Sequence, residues 1–185
     1  MKAKLTLFVF FFLSAFFFFT QTAKAEEKSA GLSATFANTR DSQKKDHRVD
    51  VLKKYLEKVD SPLAPYAKDF VEQADTYDLP WYLLAAISGT ESTFGNAVPI
   101  GCNNAWGFGI YTNHMTCFAS YSEAIKVISQ SVREDYINKW HSKNLADIGR
   151  IYAASPAWTG HTLYFIQQME AFQSSYENQS LSISI

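Results

Sequence analysis

Cysteine is nearly absent, with Cys102 and Cys117 the whole complement. The four histidines (His47, His114, His141 and His161) are scattered, and no HxxxH or CxxC spacing gathers ligands. That pattern predicts no metal and no cofactor. Runs of basic residues are missing too, which excludes the electrostatic footprint of a nucleic-acid binder. Beyond the N-terminal segment, no apolar stretch is long enough to cross a bilayer. One further absence bears on chemistry: from Ser92 to Ser122 the chain contains no Asp or Glu.

What is present begins with MKAK, followed by the apolar LTLFVFFFLSAFFFFT and then QTAKA. A basic start, an apolar stretch and Ala23-Lys24-Ala25 together predict a secretory signal over residues 1–25, cleaved after Ala25. An uncleaved membrane anchor is the alternative, because the apolar run is nearly long enough to span. Cleavage leaves no stable membrane anchor, and the protein is expected in the periplasm or outside the cell. The segment holds eight of the fifteen Phe, together with Lys2, Lys4 and Lys24. Without those three lysines, 14 of the 17 Lys+Arg face 18 Asp+Glu, a net charge of −4. In an exported chain the two cysteines are most simply a Cys102–Cys117 disulfide.

Residues 26–46 are polar and aperiodic, which predicts a linker or disordered arm. From 47 to 176 the spacing is that of one helical domain. Val51, Leu52, Tyr55, Leu56 and Val59 mark one apolar face of a first helix. Ser61-Pro62 then breaks the run, with Ser61 placed to cap a second helix carrying Tyr66, Phe70, Val71 and Ala74 and closing near Asp78. A third helix, about 80–92, is apolar nearly all round (Trp81, Leu83, Leu84, Ala85, Ala86, Ile87), as expected of a central buried one. Residues 93–120 are rich in Gly, Asn, Pro and Thr, which predicts an irregular lobe with a small hairpin around AWGFGIY. Helical spacing returns from Tyr121 to about Trp140, through Leu145, Ile148 and Tyr152, and along Leu163, Ile166, Met169 and Phe172 or Gln173. Residues 177–185 form a polar tail. The fold class is mainly α, a helical core interrupted by one irregular or β lobe.

Glu91 is the oddity of this map, within AISGTESTFG at the end of the buried helix. The helix dipole disfavours an anion there, by about 0.3–1 kcal/mol. Burial also raises a carboxyl pKa. Both effects favour the protonated form, which a general acid needs. A solvated helix-end Glu is the plain alternative. Small neighbours (Ser88, Gly89, Thr90, Ser92) leave room beside it, and the lobe after it offers Asn104, Trp106, Phe108 and Tyr111 for sugar stacking and amide recognition. Those aromatics could equally form a satellite core under the loop.

A Glu-Ser pair ending an apolar helix, a Gly-containing turn after it and a late helix with a Tyr resemble the lysozyme-like superfamily of bacterial cell-wall lytic enzymes. Within it the chain is most similar to the soluble lytic transglycosylases, over roughly residues 49–172. The resemblance implies a lysozyme-like helical domain in which Glu91 is the catalytic acid/base with Ser92 beside it. The family's G-L-M-Q motif corresponds to Gly107-Phe108-Gly109-Ile110, where Gly107 matches and Ile110 replaces Gln. Its A-Y-N motif corresponds to Ile151-Tyr152-Ala153, where Tyr152 matches and the Asn is absent. Implied substrate contacts are therefore Ser92, Asn104, Trp106, Gly107, Phe108, Tyr111 and Tyr152, and the implied partner is the glycan strand of peptidoglycan. NAWGFG is also similar to the N-x-F-G turn of endo-β-N-acetylglucosaminidases, which keeps a hydrolase open. A non-catalytic peptidoglycan-binding envelope protein is a third reading.

Most glycosidases use two carboxyl groups, and the acid-free lobe offers no second one. Glu123 and Asp147 are better explained as acids favoured at helix starts and Glu134 and Asp135 as a solvated face, with a second carboxylate brought in by the fold from Asp147 or Glu123 as the alternative. The resemblance implies a mechanism with one protein carboxylate and help from the substrate's own N-acetyl group.

Overall fold

The computed structural model describes residues 45–109, 116–153 and 155–183. The expected signal segment and nearly all of the polar arm lie outside them. Helix α1 (Lys45–Lys58) turns Val51, Leu52, Tyr55 and Leu56 inward. A single 3-10 turn (Ala64–Tyr66) leads into α2 (Ala67–Thr76), which buries Ala67, Phe70, Val71 and Ala74. Ser61 does not cap this helix. Its hydroxyl accepts from Leu63 N–H at 3.0 Å and donates to the Phe94 carbonyl at 2.7 Å, tying the turn to the far side of the core.

Helix α3 (Leu83–Ser92) is the central one, buried at every position from Leu83 to Gly89. Residues 80–82 form a turn ahead of it rather than its first turn. Its end is abrupt. Thr93, Phe94 and Gly95 all have positive φ, at 52°, 57° and 85°. For the two non-glycine residues that conformation costs about 1–2 kcal/mol each. The strain is held by capping: Thr93 N–H bonds the Gly89 carbonyl at 3.1 Å and Phe94 N–H the Ser88 carbonyl at 3.0 Å. Burial of Phe94 against Tyr55 and Phe165 offsets the rest.

After the lobe, α4 (Tyr121–Ser131) starts on Ser120, whose hydroxyl accepts from Glu123 N–H. Glu123 reaches back to Ala119 N–H at 2.7 Å. The helix then widens into a π-helical stretch (Val132–Lys139), anchored where Arg133 donates to the Tyr77 carbonyl at 2.6 Å. Helix α5 (Leu145–Tyr152) repeats the capping scheme with Asn144 and Asp147. The Lys143 N–H, with Arg150 behind it, holds the Asp147 carboxyl below the usual aspartate range.

The last helix, α6 (Trp158–Ile183), continues through the expected polar tail. No Gly or Pro stands between His161 and the end of the chain to stop it. Glu177 lies 3.3 Å from His47 Nε2, which brings this extension beside the start of α1. Helix α6 packs along α3 and α1, with α5 against its start. No strand occurs among the described residues, and 105–109 form turns. The rest of the expected hairpin, with Ile110 and Tyr111, lies outside the described residues.

Gly89 marks the closest approach of α3 to the aromatic cluster. An added Cβ would stand 2.7 Å from Phe94 Cζ and 2.9 Å from Phe165 Cδ2. Helix propensity favours Ala over Gly by about 1 kcal/mol, whereas overpacking a well-filled core costs about 1–3 kcal/mol. Packing should win, because both rings sit among other buried groups. Gly89→Ala is expected to lower unfolding stability by about 1–2 kcal/mol in urea titration. A stabilised variant would show that the rings yield freely.

Candidate active site

The buried end of α3 delivers Glu91 to the boundary between helices and lobe. Glu91 as a residue is exposed, and its carboxyl is bordered on two sides. Oε1 accepts from Trp158 Nε1–H at 2.6 Å. On the other side is Gly107, at φ +61°, where a Cβ would stand only 3.1 Å from Oε2. Burial pushes the carboxyl above its ordinary pKa, and the Trp158 hydrogen bond partly opposes the rise. Solvent on the open side limits how far it goes.

Tyr152 backs this pair. Its ring stacks on Trp158 at 5.1 Å and 25°, and its hydroxyl donates to the Trp106 carbonyl at 2.6 Å. Burial holds the phenol well above its ordinary pKa, with the Glu91 charge adding to the effect. It therefore stays protonated and serves as a fixed donor. The indole of Trp158 is seated where α5 meets the start of α6. A Cβ on Gly149 would fall 2.9 Å from Trp158 Cε3, so only glycine admits the ring. Thr162 Oγ1 donates to the Trp158 carbonyl at 3.0 Å and contacts Thr90 Oγ1 at 2.9 Å, joining α6 to the turn that carries Glu91.

Of the residues expected to touch substrate, Gly107 and Tyr152 converge on Glu91. Ser92, Asn104 and Trp106 do not reach the opening. Ser92 is buried; its hydroxyl donates to the Ala105 carbonyl at 2.7 Å and accepts from Gly95 N–H at 2.9 Å. Asn104 is buried as well. Its amide nitrogen donates to the Phe108 and Thr116 carbonyls, both at 2.8 Å, while Oδ1 accepts from the Trp106 and Phe108 N–H groups. Trp106 is fully buried, with Nε1 donating to the Leu84 carbonyl at 2.9 Å. These three are the frame on which Gly107 is hung. Phe108 is half-buried, 6.4 Å from the Phe118 ring. Tyr111 lies outside the described residues. Cys102 and Cys117 form the disulfide, closing the loop that contains Asn104 and Gly107.

Trp158 is the site residue that sequence reading passes over. It follows Ser155-Pro156-Ala157 at a helix start, where a lone Trp looks like core, and nothing in the spacing links it to Glu91 across 67 positions. The four carboxylates that follow the lobe in sequence are engaged elsewhere: Glu123 and Asp147 at helix starts, Glu134 with Asn138, and Asp135 with Ser131. Among the described residues, no group of three or more His, Cys, Asp or Glu could hold a metal ion, and no helix is long and apolar enough to cross a membrane. The chain matches no protein-family model, no curated protein and no solved structure.

A carboxyl whose pKa rises on folding adds stability at low pH that is lost as pH climbs through the folded-state value. Replacing Glu91 by Gln removes the charge and keeps an oxygen that can accept from Trp158. Glu91→Gln should thus become progressively more stable than the parent as pH rises from near 4.5, the ordinary carboxyl value, toward neutrality. Thermal unfolding across that range checks it. A difference that stays flat with pH, or reverses, would contradict the enclosure described here.

Proposed function

We propose that this protein is an exported peptidoglycan-cleaving enzyme, a lytic transglycosylase that splits the β-1,4 bond between N-acetylmuramic acid and N-acetylglucosamine with Glu91 as its single acid/base. The observation that carries the reading is the Glu91 carboxyl itself: gripped from one side by Trp158, backed by Gly107, and pushed above its ordinary pKa by burial. General acid catalysis requires such a group, with its pKa drawn upward toward the working pH.

The engagement of Glu123, Glu134, Asp135 and Asp147 in local hydrogen bonds favours a one-carboxylate mechanism. Protonated Glu91 donates to the glycosidic oxygen as the bond to the anomeric carbon breaks. The substrate's N-acetyl group stabilises the oxocarbenium-like centre that results. Glu91, now a carboxylate, removes the proton of the muramoyl C6 hydroxyl, whose oxygen closes a 1,6-anhydro ring. A lysozyme-like arrangement of helices around the lobe belongs to the same reading. So does export, with which the Cys102–Cys117 disulfide is in keeping.

Incubation of the purified protein with peptidoglycan, followed by mass spectrometry, tests this reading. Products ending in 1,6-anhydro-muramoyl groups are expected, with Glu91→Gln slowing their release by about 10²–10⁴-fold or more. Reducing ends would instead identify a hydrolase. Binding without any product would leave a non-catalytic wall-binding protein.

A further inference from the structure

The two oxygens of the Glu91 carboxyl face different surroundings. Oε1 accepts from Trp158 Nε1–H at 2.6 Å. An indole nitrogen donates and has no acceptor capacity, so no proton passes from Oε1 in that direction. Oε2 borders the space above Gly107. A Cβ at that glycine would meet Oε2 at 3.1 Å and the Glu91 carboxyl carbon at 3.8 Å, with no other neighbour within 4 Å among the described residues. The absent side chain therefore leaves Oε2 unblocked on the Gly107 side. In a protonated carboxyl one oxygen bears the hydrogen and the other accepts best. With Oε1 committed as acceptor, the hydrogen belongs on Oε2.

We propose that Trp158 is the positioning residue of this site: it anchors Oε1 and leaves Oε2 as the one oxygen that exchanges protons with a sugar lodged in the space over Gly107. The inference rests on Glu91 as the acid/base and assigns its two steps to a single atom. In the first step the Oε2–H bond breaks as an O–H bond forms on the leaving glycosidic oxygen. In the second, the sugar hydroxyl loses its proton to Oε2 while its oxygen bonds to the anomeric carbon. Oε2–H is restored and no co-reactant is consumed.

The indole is well placed to serve as a fixed anchor. Its ring is stacked on Tyr152, which is itself held to the Trp106 carbonyl, and its backbone carbonyl is bound by Thr162. Tyr152 is the titratable group packed against this pair, and its raised pKa keeps it neutral throughout the range in which Glu91 ionises.

Nuclear magnetic resonance on the isotope-labelled full-length chain gives a readout independent of turnover. The Trp158 Nε1–H resonance should move with pH at the same midpoint as the Glu91 carboxyl carbon, and should lose that movement in Glu91→Gln. Trp158→Phe keeps a ring against Tyr152 but removes the donor, so the Glu91 midpoint should shift to higher pH. Gly107→Ala places a methyl beside Oε2 and should also raise the midpoint, with the indole still following Glu91. An indole resonance indifferent to Glu91 ionisation in the parent protein would overturn the proposal without recourse to any variant. A midpoint that stays put or falls in Trp158→Phe would overturn the anchor, and an unmoved midpoint in Gly107→Ala would overturn the assignment to Oε2. A chain that cleaves no glycan while its indole still tracks Glu91 would defeat the enzyme reading and leave Trp158 as the anchor.

Discussion

The site depends on a helix that is buried all round and must nevertheless end at the surface. Helix α3 has no polar face from Leu83 to Gly89, so it lies among the other helices with no solvent side. Its exit is forced into one short turn, where Thr93 and Phe94 accept left-handed backbone. Because that turn is capped by Ser88 and Gly89 carbonyls and anchored by buried Phe94, the backbone just before it is tied down at its exit from the core. Glu91 inherits that rigidity. A carboxyl on a loop would swing away from an enclosure that raises its free energy when charged, whereas one fixed by a buried helix has no such escape.

Two separate pieces of chain border the carboxyl, and each approaches by way of a glycine. The lobe comes near through Gly107, because a side chain there would press on Oε2. The α5–α6 corner comes near through Gly149, because a side chain there would displace Trp158. The donors brought in are unlike each other. Trp158 gives its hydrogen to Glu91 directly, whereas Tyr152 gives its hydrogen to the Trp106 carbonyl and so ties α5 to the lobe. One bond sets the carboxyl and the other sets the wall behind it.

Helices were legible in the sequence because their signal is periodic and local. The inward set Val51, Leu52, Tyr55 and Leu56, and the apolar run 83–87 of α3, could be read directly from the sequence. Boundaries were less so. Helix α3 starts at Leu83 rather than Pro80, and α6 runs on to Ile183, because turns and helix ends are decided by tertiary packing such as that of α6 along α1. Glu91 and Gly107 could be picked out because a carboxylate at a helix C-terminus and a glycine in an aromatic turn are locally odd. Trp158 could not, since a tryptophan at a helix start is locally ordinary and its partner is distant in sequence. Ser92, Asn104 and Trp106 were placed at the substrate because their chemistry suits sugars, yet the same hydroxyl, amide and indole groups suit a loop that must satisfy its own backbone.

That last point explains how a lobe without a described strand keeps Gly107 in place. Backbone N–H and C=O groups removed from water need partners, and a sheet would normally supply them. Here one side chain does much of that service. Asn104 meets two carbonyls and two N–H groups within residues 106–116, so its amide stands in for a missing neighbouring strand. Ser92 and Trp106 fasten this unit to α3 through the Ala105 and Leu84 carbonyls, and the disulfide closes it from Cys102 to Cys117. Polar groups spent in this way are lost to ligand binding. Under the proposed function, recognition then falls to the groups that border the Glu91 carboxyl itself, Trp158 on the Oε1 side and Gly107 on the Oε2 side.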